Sequence, residues 1–270
     1  VYVGTSLELV DEAVTTLRRL LLPSLPVAVV VLAGLTWVVV GRLLTRLEAN
    51  SRRQRAFAAD ASHELQTPLT AIRAQLEVAL ARQESVDWPV LARELLQGTQ
   101  EMERLVRDLL FLAQEDEQTR ANVPTDLVDL DDVVLEEVAR VRGGSSVVLD
   151  TSKVSGAPVR GSREQLGRLV RNLLENAERH ASSRVDVTLS ASNGDVRLAV
   201  SDDGPGVPPQ ERARIFERFV RLDDARSRVA GGAGLGLSIV AAIAERHGGS
   251  VIVGDAPSGA CFEVRLPSAG

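Results

Sequence analysis

The chain has 270 residues, 44% of them hydrophobic and 25% charged, which is enough apolar matter for more than one core and too much for wholesale disorder. Its 31 basic and 37 acidic residues leave a net charge of −6, so there is no basic footprint for nucleic acid. A single cysteine, Cys261, excludes an internal disulfide framework and a multi-cysteine metal site.

The first residue is Val1, as expected of a piece of a longer protein. From Leu20 to Gly41 no residue is charged, and about 20 such residues span a bilayer as a helix. No small-residue cleavage signal follows, which argues against a signal peptide. Arg42, Arg46, Arg52, Arg53 and Arg55 come directly after, and this excess of arginine predicts that the C-terminal side faces the cytoplasm. Residues 1–19 are then the end of an extracytoplasmic region, 20–41 a transmembrane helix and 42–56 a short helical linker. The protein is expected in the cell (inner or plasma) membrane, with the part beyond the span cytoplasmic.

Beyond the linker, Ala61, Leu65, Leu69, Ile72, Leu76 and Leu80 recur at helical spacing as one apolar face. Asp87, Trp88 and Pro89 start a second helix, where proline suits the first turn. Leu91, Leu95, Gly98, Met102, Leu105, Leu109 and Leu112 then alternate spacings of four and three, a heptad seam. The two helices predict an antiparallel hairpin, and two hairpins bury every seam as a dimeric four-helix bundle. A monomeric hairpin packed on the next domain is the alternative.

His63 lies about 160° around the helix from the centre of the apolar stripe, so its ring is expected in solvent. Glu64 is adjacent and can accept a proton from the imidazole. Thr67 is one turn later and can orient a water or an incoming group. Pro68 removes a backbone donor and is expected to loosen the helix just beyond the histidine. The segment FAADASHELQTPLTAIRAQLEVAL, residues 57–80, resembles the phosphoacceptor box of sensor histidine kinases, with Gln66 where the usual form has arginine.

After the polar stretch QEDEQTRANV, helix and strand patterns mix: helix over 131–142, strand 146–151, helix 163–181, strands 184–190 and 195–201 around the Asn193-Gly194 turn, helix 235–247, then strands 250–254 and 260–266. This predicts an α+β two-layer sandwich. Four motifs stand on it. Asn172 and Asn176 share a helix face, and a carboxamide oxygen suits Mg²⁺ that also holds ATP phosphates. In DDGPG, Asp202 can accept from an adenine amino group while Gly204 and Gly206 allow close backbone approach. IFERF, residues 215–219, frames a charged pair with apolar residues. GGAGLGLSIV, residues 231–240, aims free N–H groups and a helix dipole at an anion, and lacks the Gly-Lys-Ser/Thr of a Walker A loop.

In their order and spacing the four resemble the N, G1, F and G2 boxes of the ATP-binding domain of histidine kinases, the Bergerat or GHKL fold shared with gyrase, Hsp90 and MutL. That resemblance covers roughly residues 50–266. It implies a dimerisation and histidine phosphotransfer domain at 57–115 and an ATP-binding catalytic domain at 124–270. By it, Asn176 is the Mg²⁺ ligand and Asn172 supports the same site, Arg179 and His180 lie near the phosphates, and Asp202 reads adenine. Gly232, Gly234, Leu235, Gly236 and Leu237 belong to the lid that closes on ATP. The implied activity is autophosphorylation of His63, transfer to an aspartate of a cognate response regulator, and a phosphatase activity supported by Thr67, in a homodimer. A conformational GHKL ATPase and a nucleotide-sensing scaffold are the alternatives. His247, before Gly248-Gly249 at a helix end, is read as a structural cation complementing the dipole. Relatives with such a membrane helix usually carry a two-helix HAMP linker. Here about 22 residues separate Val40 from His63, roughly 33 Å of helix, with room for one helix and no second. The junction between Arg42 and Ala56 is therefore expected to be near-continuous helix, weakest at Asn50-Ser51.

Overall fold

The computed structural model describes residues 7–81, 87–117, 126–143, 147–192, 194–222, 233–256 and 258–269; in the first helix the side chains of 7–13, 16, 18–31, 43 and 46–54 fall outside that description. The chain divides into two units, Val1–Ala59 and Asp60–Gly270.

Helix α1 runs over Leu7–Ala81, and its N-terminal part makes the first unit. Thr36 and Thr45 turn their hydroxyls back to Leu32 O and Arg42 O at 2.7 and 3.0 Å, the local bond that lets threonine sit inside a helix. Leu32, Leu35, Trp37, Val38, Val39 and Val40 are exposed. Among the described residues no helix is long and apolar enough to cross a membrane. Of the span expected at 20–41, residues 20–31 lie outside the described side chains. Helix continues through Asn50-Ser51 and through Pro68. The expected loosening after His63 is therefore no break: Pro68 leaves out one donor, and Thr67 Oγ1 donates to His63 O at 3.2 Å, tying that turn together.

In the second unit, the end of α1 pairs with α2, Trp88–Glu117. Asp87 caps α2, its carboxylate accepting from Val90 N–H at 3.1 Å, and Pro89 is tolerated in the first turn because an N–H there has no intrahelical acceptor. α2 extends to Glu117, past the expected end of the helix. Gly98 admits Ile72: a Cβ there would lie 3.1 Å from Ile72 Cγ1. Leu91, Leu105, Leu109 and Leu112 are buried, whereas Leu69, Leu76 and Leu80 of the α1 stripe stay exposed.

The rest is a helix layer on a five-stranded sheet. β1 (Leu127–Asp129) pairs antiparallel with β3 (Pro158–Arg160), two three-residue strands too short to show an alternation in sequence. α3 (Leu130–Arg142), α4 (Arg163–His180) and α5 (Gly236–Arg246) form the helix layer. β2 (Val148–Val154), β4 (Arg184–Ser192), β5 (Asp195–Asp202), β7 (Cys261–Pro267) and β6 (Ser250–Gly254) form the sheet, in the order β2-β4-β5-β7-β6. Only β2 and β4 run parallel, joined by the crossover through α4. In the β4–β5 hairpin Gly194 takes φ 84°, as its turn requires; Asn193 lies outside the described residues.

Leu166, Leu169, Val170, Leu173, Leu174 and Ala177 bury one face of α4 completely against the sheet. Asn172 and Asn176 lie at the border of that face and are half-buried. α4 is further held by Glu137 of α3, a buried carboxylate that accepts from Arg140 and, at 2.8 and 2.9 Å, from Arg171. Breaking such a pair leaves a buried charge, a cost of about 3–5 kcal/mol.

Candidate functional site

α4 presents the first site residues. Asn172 Nδ2 donates to Arg168 O at 2.8 Å, which turns its oxygen toward α5: a Cβ on Gly236 would lie 3.1 Å from Asn172 Oδ1. Asn176, one turn on, is half-buried. Arg179 and His180 end the helix. Loss of water lowers the pKa of both; for His180 the Arg179 charge adds to that effect and Asp202 opposes it.

Asp202 ends β5 and is buried. Its Oδ1 accepts from Gly204 N–H at 2.9 Å and Ala260 N–H at 3.3 Å. Its Oδ2 is buried with no hydrogen-bond partner among the described residues. A buried carboxylate oxygen left without a donor costs several kcal/mol unless something supplies one. A purine amino group would satisfy it. The backbone around this oxygen is packed tightly. A Cβ on Gly204 would lie 2.1 Å from His180 O, and one on Gly259, at φ 71°, 1.9 Å from Asp202 O.

The glycine-rich segment reaches the site through α5. Leu235 is buried at the N-cap, and among the described residues no side chain caps the first turn, so the N–H groups of Gly236 and Leu237 remain for an anion. Gly234, at φ 68°, accepts from Phe219 N–H at 3.1 Å, and Phe219 itself sits at φ 62°, a left-handed conformation rare for an aromatic residue. The IFERF and GGAGLGL motifs are thus in contact. Gly232 lies outside the described residues.

The structure brings together Asn172 with Gly236, and Asp202 with Gly204 and the end of α4. His63, Glu64 and Thr67 stand apart on α1. His63 is exposed and lines a shallow groove with Gln66, Thr67, Thr70, Ala71 and Ala74.

Sequence reasoning missed two supports. Asp203 accepts from the N–H groups of Ser182, Ser183 and Arg184 at 2.8, 3.0 and 3.1 Å and from the Ser183 hydroxyl. These donors, the Ser183 hydroxyl first, hold its carboxyl well below the usual range and fix the loop between α4 and β4. Gly259 and Ala260 orient Asp202 from the start of the final strand. The doubled aspartate, and the glycine ahead of the last strand, were the available signals.

One reading is corrected. His247 is not a helix-end cation. It is buried, and its Nε2 accepts from Ser162 N–H at 3.2 Å. The proton therefore sits on Nδ1, 2.8 Å from Ile243 O. The neutral ring joins the end of α5 to the start of α4, and Gly161 makes room, since a Cβ there would lie 2.3 Å from the ring. Burial pushes this imidazole below its ordinary value of 6.5. A lowered folded-state pKa means that the unfolded chain takes up the proton first. His247 thus contributes stability above about pH 6.5 that is lost as pH falls through the folded-state value, and His180 acts in the same sense. Urea unfolding from about pH 8 to about pH 5 should show this decline, shallower in His247→Gln, whose Oε1 can take the Ser162 N–H without titrating. Parallel profiles for both proteins would refute the assignment.

Comparison with known proteins identifies two domains in this chain. The family described as histidine kinase-, DNA gyrase B-, and HSP90-like ATPase matches residues 161–270, and the His kinase A (phospho-acceptor) domain matches residues 53–118. The chain is 37% identical over 240 residues to the signal transduction histidine-protein kinase/phosphatase MprB of Mycolicibacterium smegmatis, covering 83% of this chain and 48% of that protein. It is 36% identical over 233 residues to the signal transduction histidine-protein kinase BaeS of Escherichia coli, covering 84% and 49%. The chain thus spans about half the length of these curated relatives. The histidine kinase AdeS of Acinetobacter baumannii shares the fold, with a TM-score of 0.63 at 23% identity over 77% of this chain and 98% of that one. With a phosphoacceptor domain followed by a GHKL-type ATP-binding domain, the chain belongs to the sensor histidine kinases of two-component systems.

Proposed function

We propose that this chain autophosphorylates His63 with Mg·ATP and passes the phosphoryl group to an aspartate of a response regulator. The observation that carries the reading is the unpartnered Oδ2 of Asp202, an acceptor that a purine amino group completes, in a chain that also exposes a histidine beside a carboxylate. Asp202 orients the adenine, and Gly204 keeps the wall thin enough for the ring to approach. Arg179, His180 and the open N–H groups of α5 attract the phosphates. The Asn176 carboxamide oxygen, with Asn172 one turn earlier, suits Mg²⁺, which neutralises charge on the phosphate oxygens. A ring nitrogen of His63 attacks the γ-phosphorus; the N–P bond forms, the bond to the ADP oxygen breaks, and Glu64 takes the imidazole proton. Incubation with γ-labelled ATP tests this. Label that is retained in alkali and lost in acid supports phosphohistidine, whereas ATP hydrolysis without label points to a conformational ATPase.

The same reading gives the chain a second copy, a membrane and a reverse activity. The exposed Leu69, Leu76 and Leu80 support a dimer, since burying each is worth about 1.5–3 kcal/mol. The uncharged run 20–41 and the arginines after it support an anchor in the cell membrane with 42–56 as linker, 57–115 as phosphotransfer domain and 124–270 as ATP-binding domain, both cytoplasmic. Thr67 shares the groove of His63 and supports water delivery to a regulator phosphate. Thr67→Arg is expected to spare autophosphorylation and to slow regulator dephosphorylation by about 10²-fold, the range of one catalytic proton-transfer or orienting group. Survival of both activities would leave Thr67 a helix surface residue.

A further inference from the structure

α2 carries a second stripe beside its buried seam. Arg104, Asp108, Phe111 and Glu115 recur at spacings of four, three and four, the first three each one residue ahead of buried Leu105, Leu109 and Leu112. One residue is about 100° around the helix, so this stripe faces elsewhere, and it meets the ATP-binding domain. Arg104 Nη1 lies 3.0 Å from Glu175 Oε2. Arg168 Nη2 donates to Asp108 Oδ1 at 2.5 Å and to Arg107 O at 3.3 Å, and its guanidinium lies 4.4 Å from the centre of the Phe111 ring. Arg246 pairs with Glu115. The Arg168–Asp108 side chains are 24% and 18% exposed and the Arg246–Glu115 pair 16% and 13%, so these two are shielded; the Arg104 side chain, 61% exposed, is the weak member.

A slip of one turn in either direction breaks this pairing. A slip of one turn in one direction sets Arg168 against Arg104. A slip in the other sets it against the Phe111-Leu112 turn, with no carboxylate, and takes Arg246 off Glu115. The height of this alignment is informative. Ile72 lies against Gly98 and Gln75 reaches Glu94 at 3.4 Å. In this antiparallel pair the level of His63, nine residues before Ile72, is that of Arg107, nine after Gly98. Arg168 therefore grips α2 beside the level of His63. It does so from α4, the helix that carries Asn172 and Asn176, and its own carbonyl holds the Asn172 amide.

We propose that Arg104, Asp108, Phe111 and Glu115 form an axial register key that holds the ATP-binding domain at the height of His63, with Arg168 as a positioning residue for phosphoryl transfer. This rests on the reading of His63 as phosphoacceptor. The test compares the full chain with Arg168→Glu, and with Arg168→Glu combined with Asp108→Arg, in ATP affinity and in initial rate of labelling from γ-labelled ATP. Arg168→Glu should bind ATP as the parent does and label about 100-fold more slowly, the cost of a misplacement of about 1 Å. The swapped pair should recover at least about tenfold of that loss. Labelling of Arg168→Glu at the parent rate or faster, a swapped pair as slow as the single variant, or a loss of ATP affinity would each overturn the key. His63→Gln is run alongside. If it stays unlabelled while the key fails, the phosphoacceptor reading stands alone; if it is labelled, both fall.

Discussion

His63→Gln is expected to lose all acid-labile phosphorylation while binding ATP with the affinity of the parent. The reason is spatial separation of roles. His63 is exposed on α1, in a groove lined, among the described residues, by α1, whereas the nucleotide residues are set by α4, β5 and α5. Glutamine keeps the helix, since it is a good helix former, and removes the one side chain there able to form an N–P bond. The measurement pairs acid-lability of labelled protein with a fluorescent-ATP titration. Acid-labile label on the variant would move the phosphoacceptor elsewhere, and a weakened titration would mean that α1 contributes to the nucleotide pocket.

Asp202→Asn is expected to weaken ATP binding by about 10–100-fold, from the 1.5–3 kcal/mol of a hydrogen bond to a charged group at about 1.4 kcal/mol per decade. The backbone N–H groups of Gly204 and Ala260 both require an acceptor at the Oδ1 position. The asparagine oxygen is therefore held there, and its NH₂ replaces Oδ2, setting donor against donor where the adenine amino group approaches. GTP, which presents a carbonyl at that position, should lose less or gain. Equal ATP affinity in both proteins would dissociate Asp202 from the base.

Much of the scaffold was legible because its signals are local. Asp87 and Pro89 mark the start of α2, the α4 apolar period marks its buried face, and the turn at Gly194 marks the β4–β5 hairpin. Elements held by distant partners were not legible. β1 and β3 are three residues each and exist only as a pair. His247 looks like a helix-end cation in sequence, and only the Ser162 N–H, 85 residues away, makes it a neutral bridge. Within the candidate site, Asp202 and the glycines were readable from motif order, but the need for Gly259 follows from a backbone contact that no spacing announces. The charged stripe of α2 was present in the heptads and hidden beside the stronger apolar one.

The place of β7 has a consequence for biogenesis. β7 is the last of the described strands in sequence, yet it lies inside the sheet, between β5 and β6. Until Cys261–Pro267 has left the ribosome, β5 has an open edge along Asp195–Ser201, and β6 has no strand partner among the described residues. The sheet therefore closes after synthesis of this strand rather than growing outward during it. Open edges of this kind recruit other chains, so the nascent domain is exposed to mispairing for as long as translation lags. A stop codon or frameshift ahead of Cys261 would remove an internal strand and with it the pairing of β6, instead of trimming the border of the sheet, leaving a product fit for degradation rather than a weakened kinase.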